Sequence, residues 1–471
     1  MVRVRLSATR DRTSWKELLN HMTTIPHPPH RIPVLGDLLS LNWTTPTQHE
    51  ADLVAELGGI YERKILRDSL VIVGDAKLAE QACSEEEWSR ALVGPGAYLR
   101  RMMPKGLFTV KSSDPTWGTV REALRPAFDQ QAMRRYHGAM AEVIAELVEY
   151  LRAHDGSPVP IHDLMTRLTV EIIASAGFGY RSGGFDTKIA DDLFLTGIRD
   201  VLEWSSAEPN RPPLISELGA AERRRKADDA IARVRGPVVE LVERRRNDDD
   251  PDAKDILASL LPTDLPPDVI ADQAVTFLFA GHETTAALLE AAIFYLTTPD
   301  GGAERHARIA QEAGDLAATG VEYTDIPKRR WTQQFLRECL RLHPPAPGFF
   351  RIAKLDTKLG PHYIRKGTVV FVLALAAQRD RASWGDDAAA FDPNRFDRGR
   401  DLGWNRPFGT GPRDCIGRVF AMHEATFVLG QLAGEFDIAA VQPTNEITMI
   451  ERATLRPAPR DYTFTARENR S

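Results

Sequence analysis

FGTGPRDCIG, residues 408–417, sets Phe408, Gly411, Arg413 and Gly417 around a single cysteine, Cys415. The combination suits a metal thiolate. Cysteine is a soft, anionic ligand once a metal holds it deprotonated. An aromatic such as Phe408 packs against the sulfur and shields it from water. Gly411 and Gly417 let the backbone approach the sulfur and donate N–H groups to it, which tunes the metal. Arg413 is suited to an anionic carboxylate nearby. A lone cysteine is ordinarily a small buried hydrophobe. Five matched positions, each of a residue type used a few per cent of the time, make a chance match in a chain this long rarer than about one in a thousand.

Upstream, residues 274–296 form the most apolar region, yet His282, Glu283, Thr284 and Thr285 interrupt it. A lipid-spanning helix rarely carries that cluster at its centre, so the region reads as a helix buried inside protein. Gly281 in mid-helix costs about 1 kcal/mol relative to alanine, which predicts a close approach there. Ala280 and Thr284, at i and i+4, share one face. Glu338 and Arg341, at i and i+3, are spaced to bond directly on a helix. FDPNRF, residues 391–396, supplies Arg395, and Trp117 and Arg121 form a W-x-x-x-R pattern at a predicted helix start.

In this order the motifs resemble those of the cytochrome P-450 family. The resemblance implies haem b, with Cys415 as the iron ligand and Phe408, Gly411, Arg413 and Gly417 around it. It assigns Trp117, Arg121 and Arg351 to the haem propionates. It gives Glu283 and Thr284 the relay of protons to oxygen, and lays Ala280 over the haem. Glu338, Arg341 and Arg395 become a structural network that fixes the thiolate loop. The family reaction inserts one atom of O2 into a C–H bond of a hydrophobic small molecule, fatty-acyl-like or a secondary metabolite. Electrons come from NAD(P)H through a separate flavin or iron–sulfur donor: a ferredoxin, a flavodoxin or a flavin reductase. A peroxide-driven haem-thiolate peroxygenase and a non-catalytic haem-binding sensor are the alternatives.

GLFT (106–109), FDQQAMRRYH (128–137), MTRLTVEIIASAGFGYR (165–181) and ECLRLHPPAPGF (338–349) are similar to one bacterial subfamily. These are self-sufficient fatty-acid hydroxylases whose haem domain is fused to a flavin reductase. The match makes Phe108 the aromatic that overhangs the haem and sets Ala346 opposite in the pocket. A gap-free match puts Asp68 and Ile72 where the subfamily holds the fatty-acid carboxylate with arginine and tyrosine. An anionic Asp68 repels a carboxylate. Arg67 is the residue that would substitute, and a neutral, cationic or carrier-tethered substrate fits as well. The chain ends near Ser471, where the reductase linker of the subfamily begins, so it is expected to be an excised haem domain or a stand-alone enzyme.

Composition agrees. The chain has 471 residues, 43% hydrophobic and 27% charged, with a net charge of −6. That balance excludes the basic excess of a nucleic-acid binder. Cys83, Cys339 and Cys415 lie too far apart for a disulfide framework, which points to a reducing cytoplasm. Residues 1–24 read as a charged extension, neither secretory signal nor membrane anchor. Helical spacing dominates from Lys77 to about Pro299, strands are expected near 60–66, 70–73 and within 447–464, and residues 368–377 read as strand or helix. NDDDPD (247–252) reads as a solvated loop, and the basic clusters at 222–229 and 243–250 as solvated helix faces. Arg125, Arg134, Arg135 and Arg418 are candidates for docking an acidic electron donor. The expected fold is mainly α with a minor β region: one haem domain over residues 25–471, with no reductase domain and no membrane span.

Overall fold

The computed structural model describes residues 24–181, 183–185, 192–211, 216–248, 254–314, 321–397 and 403–467. Helices dominate among the described residues and the sheets are small, as the mainly α expectation requires. The predicted buried helix runs from Pro267 to Leu296, is buried nearly all round, and forms the axis of the domain. A helix apolar on every side must be enclosed by others. It packs along Ile161–Phe178 and also meets Ala220–Asn247 and Arg418–Glu435. The close approach expected at Gly281 is to Ile173, whose Cγ1 lies 3.3 Å from where a β-carbon would sit.

The main sheet runs in the order Ile60–Ile65, Asp68–Val73, Val369–Val372, Phe349–Ala353, Trp88–Arg90. The stretch that read as strand or helix is both: Val369–Val372 pairs in this sheet and Ala374–Ala377 is a helical turn. The last two strands are antiparallel with Arg90 opposite Arg351, which brings two arginines from distant parts of the chain to one sheet end. In the tail, Met449–Glu451 pairs with Leu455–Pro457, and Asp461–Ala466 joins a second sheet.

Helix Arg330–Leu342 buries Glu338 and Arg341 completely. Arg341 donates to both Glu338 oxygens, at 2.7 and 2.8 Å, and to the carbonyls of Gln378, Ala388 and Ala390. Arg395 Nε donates to Glu338 Oε1 at 2.9 Å, as does the backbone N–H of Asp392. Gln378, fully buried, extends this cluster to the cysteine loop. Its amide donates to the carbonyls of Leu340 and Arg341, and its Oε1 accepts the backbone N–H of Arg406.

On the first basic cluster Arg225 pairs with Glu222 and Asp229 on an exposed helix face, as read. Arg245, from the second, instead meets Asp255 part-buried at 2.7 Å. The helix stops at Asn247, and the rest of NDDDPD beyond Asp248 lies outside the described residues.

Candidate active site

A cavity of about 360 Å³ separates the cysteine loop from the axial helix. Cys415 opens into it rather than to bulk solvent. The backbone N–H of Cys415 donates to the carbonyl of Phe408 at 2.9 Å, which closes the loop across the predicted aromatic. Burial raises the Cys415 thiol pKa, while the Gly417 N–H and Arg418 work against it. The two glycines act differently. Gly411 sits at φ +67°, a backbone only glycine adopts cheaply, whereas Gly417 has ordinary dihedrals and serves through its N–H. Gly409, unread in the sequence, also lies in the left-handed region at φ +71°.

One edge of the cavity is cationic. Arg413 stacks 4.3 Å over Trp117 and donates to the carbonyls of Leu107 and Val110. Arg121 lies over the same ring and pairs with Asp414 at 2.6 Å. Arg90 lies 4.8 Å over the ring of Phe108, and no described residue offers it a carboxylate or a hydrogen bond. Burial pushes Arg90 down to about 10, and burial together with Arg90 and Arg121 does the same to Arg413. Under-neutralised guanidiniums around an apolar cavity call for anions. Arg351 reaches the wall, but its guanidinium donates to the carbonyls of Ala82 and Ser84 and pairs with Glu85 at 2.9 Å. The strand pairing thus commits Arg351 to the protein and leaves its neighbour Arg90 free; a single arginine in a three-residue strand carries no sequence signature.

On the opposite wall Thr284 faces the cavity with Ala280 and Gly281, and its Oγ1 donates to the carbonyl of Ala280 at 2.8 Å. Glu283 departs from the expected pairing. One residue round a helix is a 100° turn, and its carboxylate points away from the cavity. It accepts from Thr454 Oγ1 at 2.8 Å and from Arg456 Nη1 at 3.1 Å. Burial would raise the Glu283 carboxyl, but Arg456, His282 and Thr454 bring it below its ordinary value. Arg456 also holds Glu290. Sequence reading missed Thr454, Arg456 and Glu290, because their contacts to the helix span up to 173 positions.

Phe108 and Ala346 both line the cavity. The loop carrying Phe108 is clamped by buried Gln273, whose Oε1 accepts the Leu107 N–H at 2.7 Å and whose amide donates to the Lys105 carbonyl at 2.8 Å. At the first hairpin Arg67 and Asp68 are exposed, while Ile72 is buried and packs in the core against Leu53, Val54 and Leu373. Val71, Ile72 and Val73 are all buried, so the strand is covered on both faces at this end and Ile72 does not stand at a channel mouth. Of the proposed docking arginines, Arg134 lies over Tyr323, Arg135 donates to the Lys254 carbonyl, and Arg418 opens the helix after Cys415.

Among the described residues no three His, Cys, Asp or Glu side chains gather into a metal cage. A metal at Cys415 would take its other ligands from a cofactor. A lone thiol facing an apolar cavity with arginines at one edge fits haem, whose two propionates are the anions that Arg90 and Arg413 lack. A thiol loop, a buried distal helix and a cationic edge define a haem-thiolate protein.

Comparison agrees. A family model described as Cytochrome P450 matches residues 26–464, and the chain belongs to that family. It is 31% identical over 449 residues to the bifunctional cytochrome P450/NADPH–P450 reductase of Bacillus cereus, covering 93% of this chain and 42% of that protein. It is 32% identical over 430 residues to the bifunctional cytochrome P450/NADPH–P450 reductase 2 of Bacillus subtilis, covering 88% and 40%. The self-sufficient cytochrome P450 monooxygenase CYP505E3 of Phanerodontia chrysosporium is 31% identical over 452 residues, covering 93% and 42%. The chain thus spans less than half the length of these relatives. Among the described residues no helix is long and apolar enough to cross a membrane.

Proposed function

We propose that the protein is a haem-thiolate monooxygenase. It inserts one atom of O2 into a C–H bond of a hydrophobic small molecule, using NAD(P)H electrons passed by a flavin or iron–sulfur donor. The observation that carries this is that Cys415 and Thr284, from the cysteine loop and the axial helix, line one largely apolar cavity. Haem, when bound, supplies the oxygen activation and C–H oxidation. Cys415 holds the iron, and Arg90, Arg121, Arg413 and Trp117 hold the propionates. Phe408 keeps water from the sulfur. Thr284 holds a proton at Oγ1 for delivery into the cavity, and Glu283 resupplies it after turning from Arg456. Phe108 and Ala346 set which carbon of the substrate is presented.

The substrate class follows from the walls. The cavity is largely apolar, which suits a fatty-acyl-like chain or an apolar secondary metabolite. Likeness to the fatty-acid hydroxylases sets anionic Asp68 where they hold a carboxylate, which favours a neutral ester or a carrier-tethered chain over a free acid. The test uses the haem-loaded chain with NADPH, a ferredoxin or flavodoxin donor pair, and dodecanoate against its methyl ester. One atom of 18O2 in the hydroxylated product, with the ester binding more tightly by spin-state titration, is the expected result. Turnover driven only by peroxide, with no label from O2, would contradict it.

A further inference from the structure

Arg456 is one guanidinium serving two buried carboxylates on the same face of the axial helix, Glu283 and Glu290, seven residues apart. It meets Glu283 through a single N–H, Nη1 at 3.1 Å. It meets Glu290 through two, Nε at 3.3 Å and Nη2 in a closer contact. An arginine fork gains most from such two-point contact. The cluster therefore carries two negative charges against one positive charge in a buried place, and the weaker hold is the one on Glu283.

Resting on the oxygen-handling role of the Thr284 wall proposed above, we infer that Glu290 is a positioning residue for Glu283. By drawing Arg456 toward itself, Glu290 weakens the contact that keeps the Glu283 carboxylate turned from the cavity. With Glu290 charged, Glu283 leaves Arg456 often enough to take up a solvent proton, pass it to Thr284 and return as an anion. With Glu290 neutral, the whole guanidinium charge falls to Glu283 and locks it away from Thr284.

The surroundings decide when Glu290 is neutral. The groups facing the cluster are His162 and Asp163 from helix Ile161–Phe178, His282 beside Glu283, Arg452, Thr454 and Arg456 from the tail hairpin, and Tyr462 from the last strand. Burial pushes His162 down to about 4, so it brings no positive charge near neutral pH. Burial raises Glu290 to about 7 against the pull of Arg456. A carboxyl with a raised pKa is neutral below that value, so the lock closes as pH falls through about 7 and opens as pH rises.

The test reads the infrared stretching band of carbon monoxide on the reduced, haem-loaded full chain, which senses charge and hydrogen bonds over the distal cavity without turnover. The native protein is expected to show two bands whose proportion changes across pH 6–8. Glu290→Gln keeps the shape of the side chain and removes its charge. It should hold one band, the low-pH one, at every pH, and Glu290→Asp should restore the transition. A Glu290→Gln protein that keeps the native pH transition would overturn the inference, and so would a native band that does not respond to pH. Either result, obtained on a protein that still shows a thiolate-bound carbon-monoxide spectrum, sinks the role of Glu290 alone. Loss of that spectrum in the native chain would instead sink the haem-thiolate reading.

Discussion

Two buried arginine–carboxylate clusters flank the cavity, and they are built in opposite ratios. Behind the thiolate loop, Glu338 receives Arg341, Arg395 and the Asp392 N–H, while Arg341 spends its remaining donors on three carbonyls. Behind the distal helix, Arg456 is divided between Glu283 and Glu290. In its buried part the first cluster has more cation than anion, with the surplus met by backbone carbonyls and by Asp387, which lies 3.5 Å from Arg395 Nη2 at the exposed rim; nothing in it gains by moving. The second has more anion than cation, so its members compete. A saturated cluster fixes a loop, and a deficient one can hold alternative arrangements of nearly equal energy.

The largest expected effect lies on the saturated side. Glu338→Leu leaves two buried arginines without their carboxylate and should cost about 3–5 kcal/mol, read as a lower midpoint in urea unfolding. A loss within 1 kcal/mol would mean that the cluster is no more than decoration.

Next comes the wall that Glu283 serves. Thr284→Ala should keep the thiolate spectrum yet lower coupled product about 100-fold, the scale of one positioned proton donor, with peroxide formed in its place. Native coupling would remove Thr284 from the proton path.

The cationic edge comes third. Arg90→Met should weaken haem retention roughly tenfold or more, on the scale of one charge-assisted hydrogen bond, measured by haem transfer to apomyoglobin. Equal retention would leave the propionates to Arg121 and Arg413.

The smallest effect belongs to the deficient cluster. Thr454→Val removes one hydroxyl from Glu283 and should cost about 1 kcal/mol or less in thermal unfolding. It should also move the carbon-monoxide band toward its high-pH form; movement the other way would show that Thr454 does not restrain Glu283.

The same contrast explains what could be read in advance. Glu338 and Arg341 are one helical turn apart, so spacing allowed their pair, and the family resemblance supplied Arg395 and the network. Cys415 and its neighbours are contiguous, and Ala280 and Thr284 follow helical periodicity. The deficient cluster depends on Arg456, in a short tail strand 173 positions from Glu283, and no local pattern marks it. Arg90 was hidden for a related reason: its place opposite Arg351 is a matter of strand register. Glu283 shows the limit of adjacency as evidence. It precedes Thr284 by one position in the chain but stands about 100° round the helix from it, and an unforeseen arginine decided which way it faces.

Whether Cys415 would hold the iron of a haem bound in this cavity is read by reducing the purified haem-loaded protein under carbon monoxide. The red-shifted Soret band of a thiolate-bound haem should appear in the native chain and vanish in Cys415→Ala. A native spectrum without that band, or a band that persists when Cys415 is replaced, would exclude Cys415 as the iron ligand.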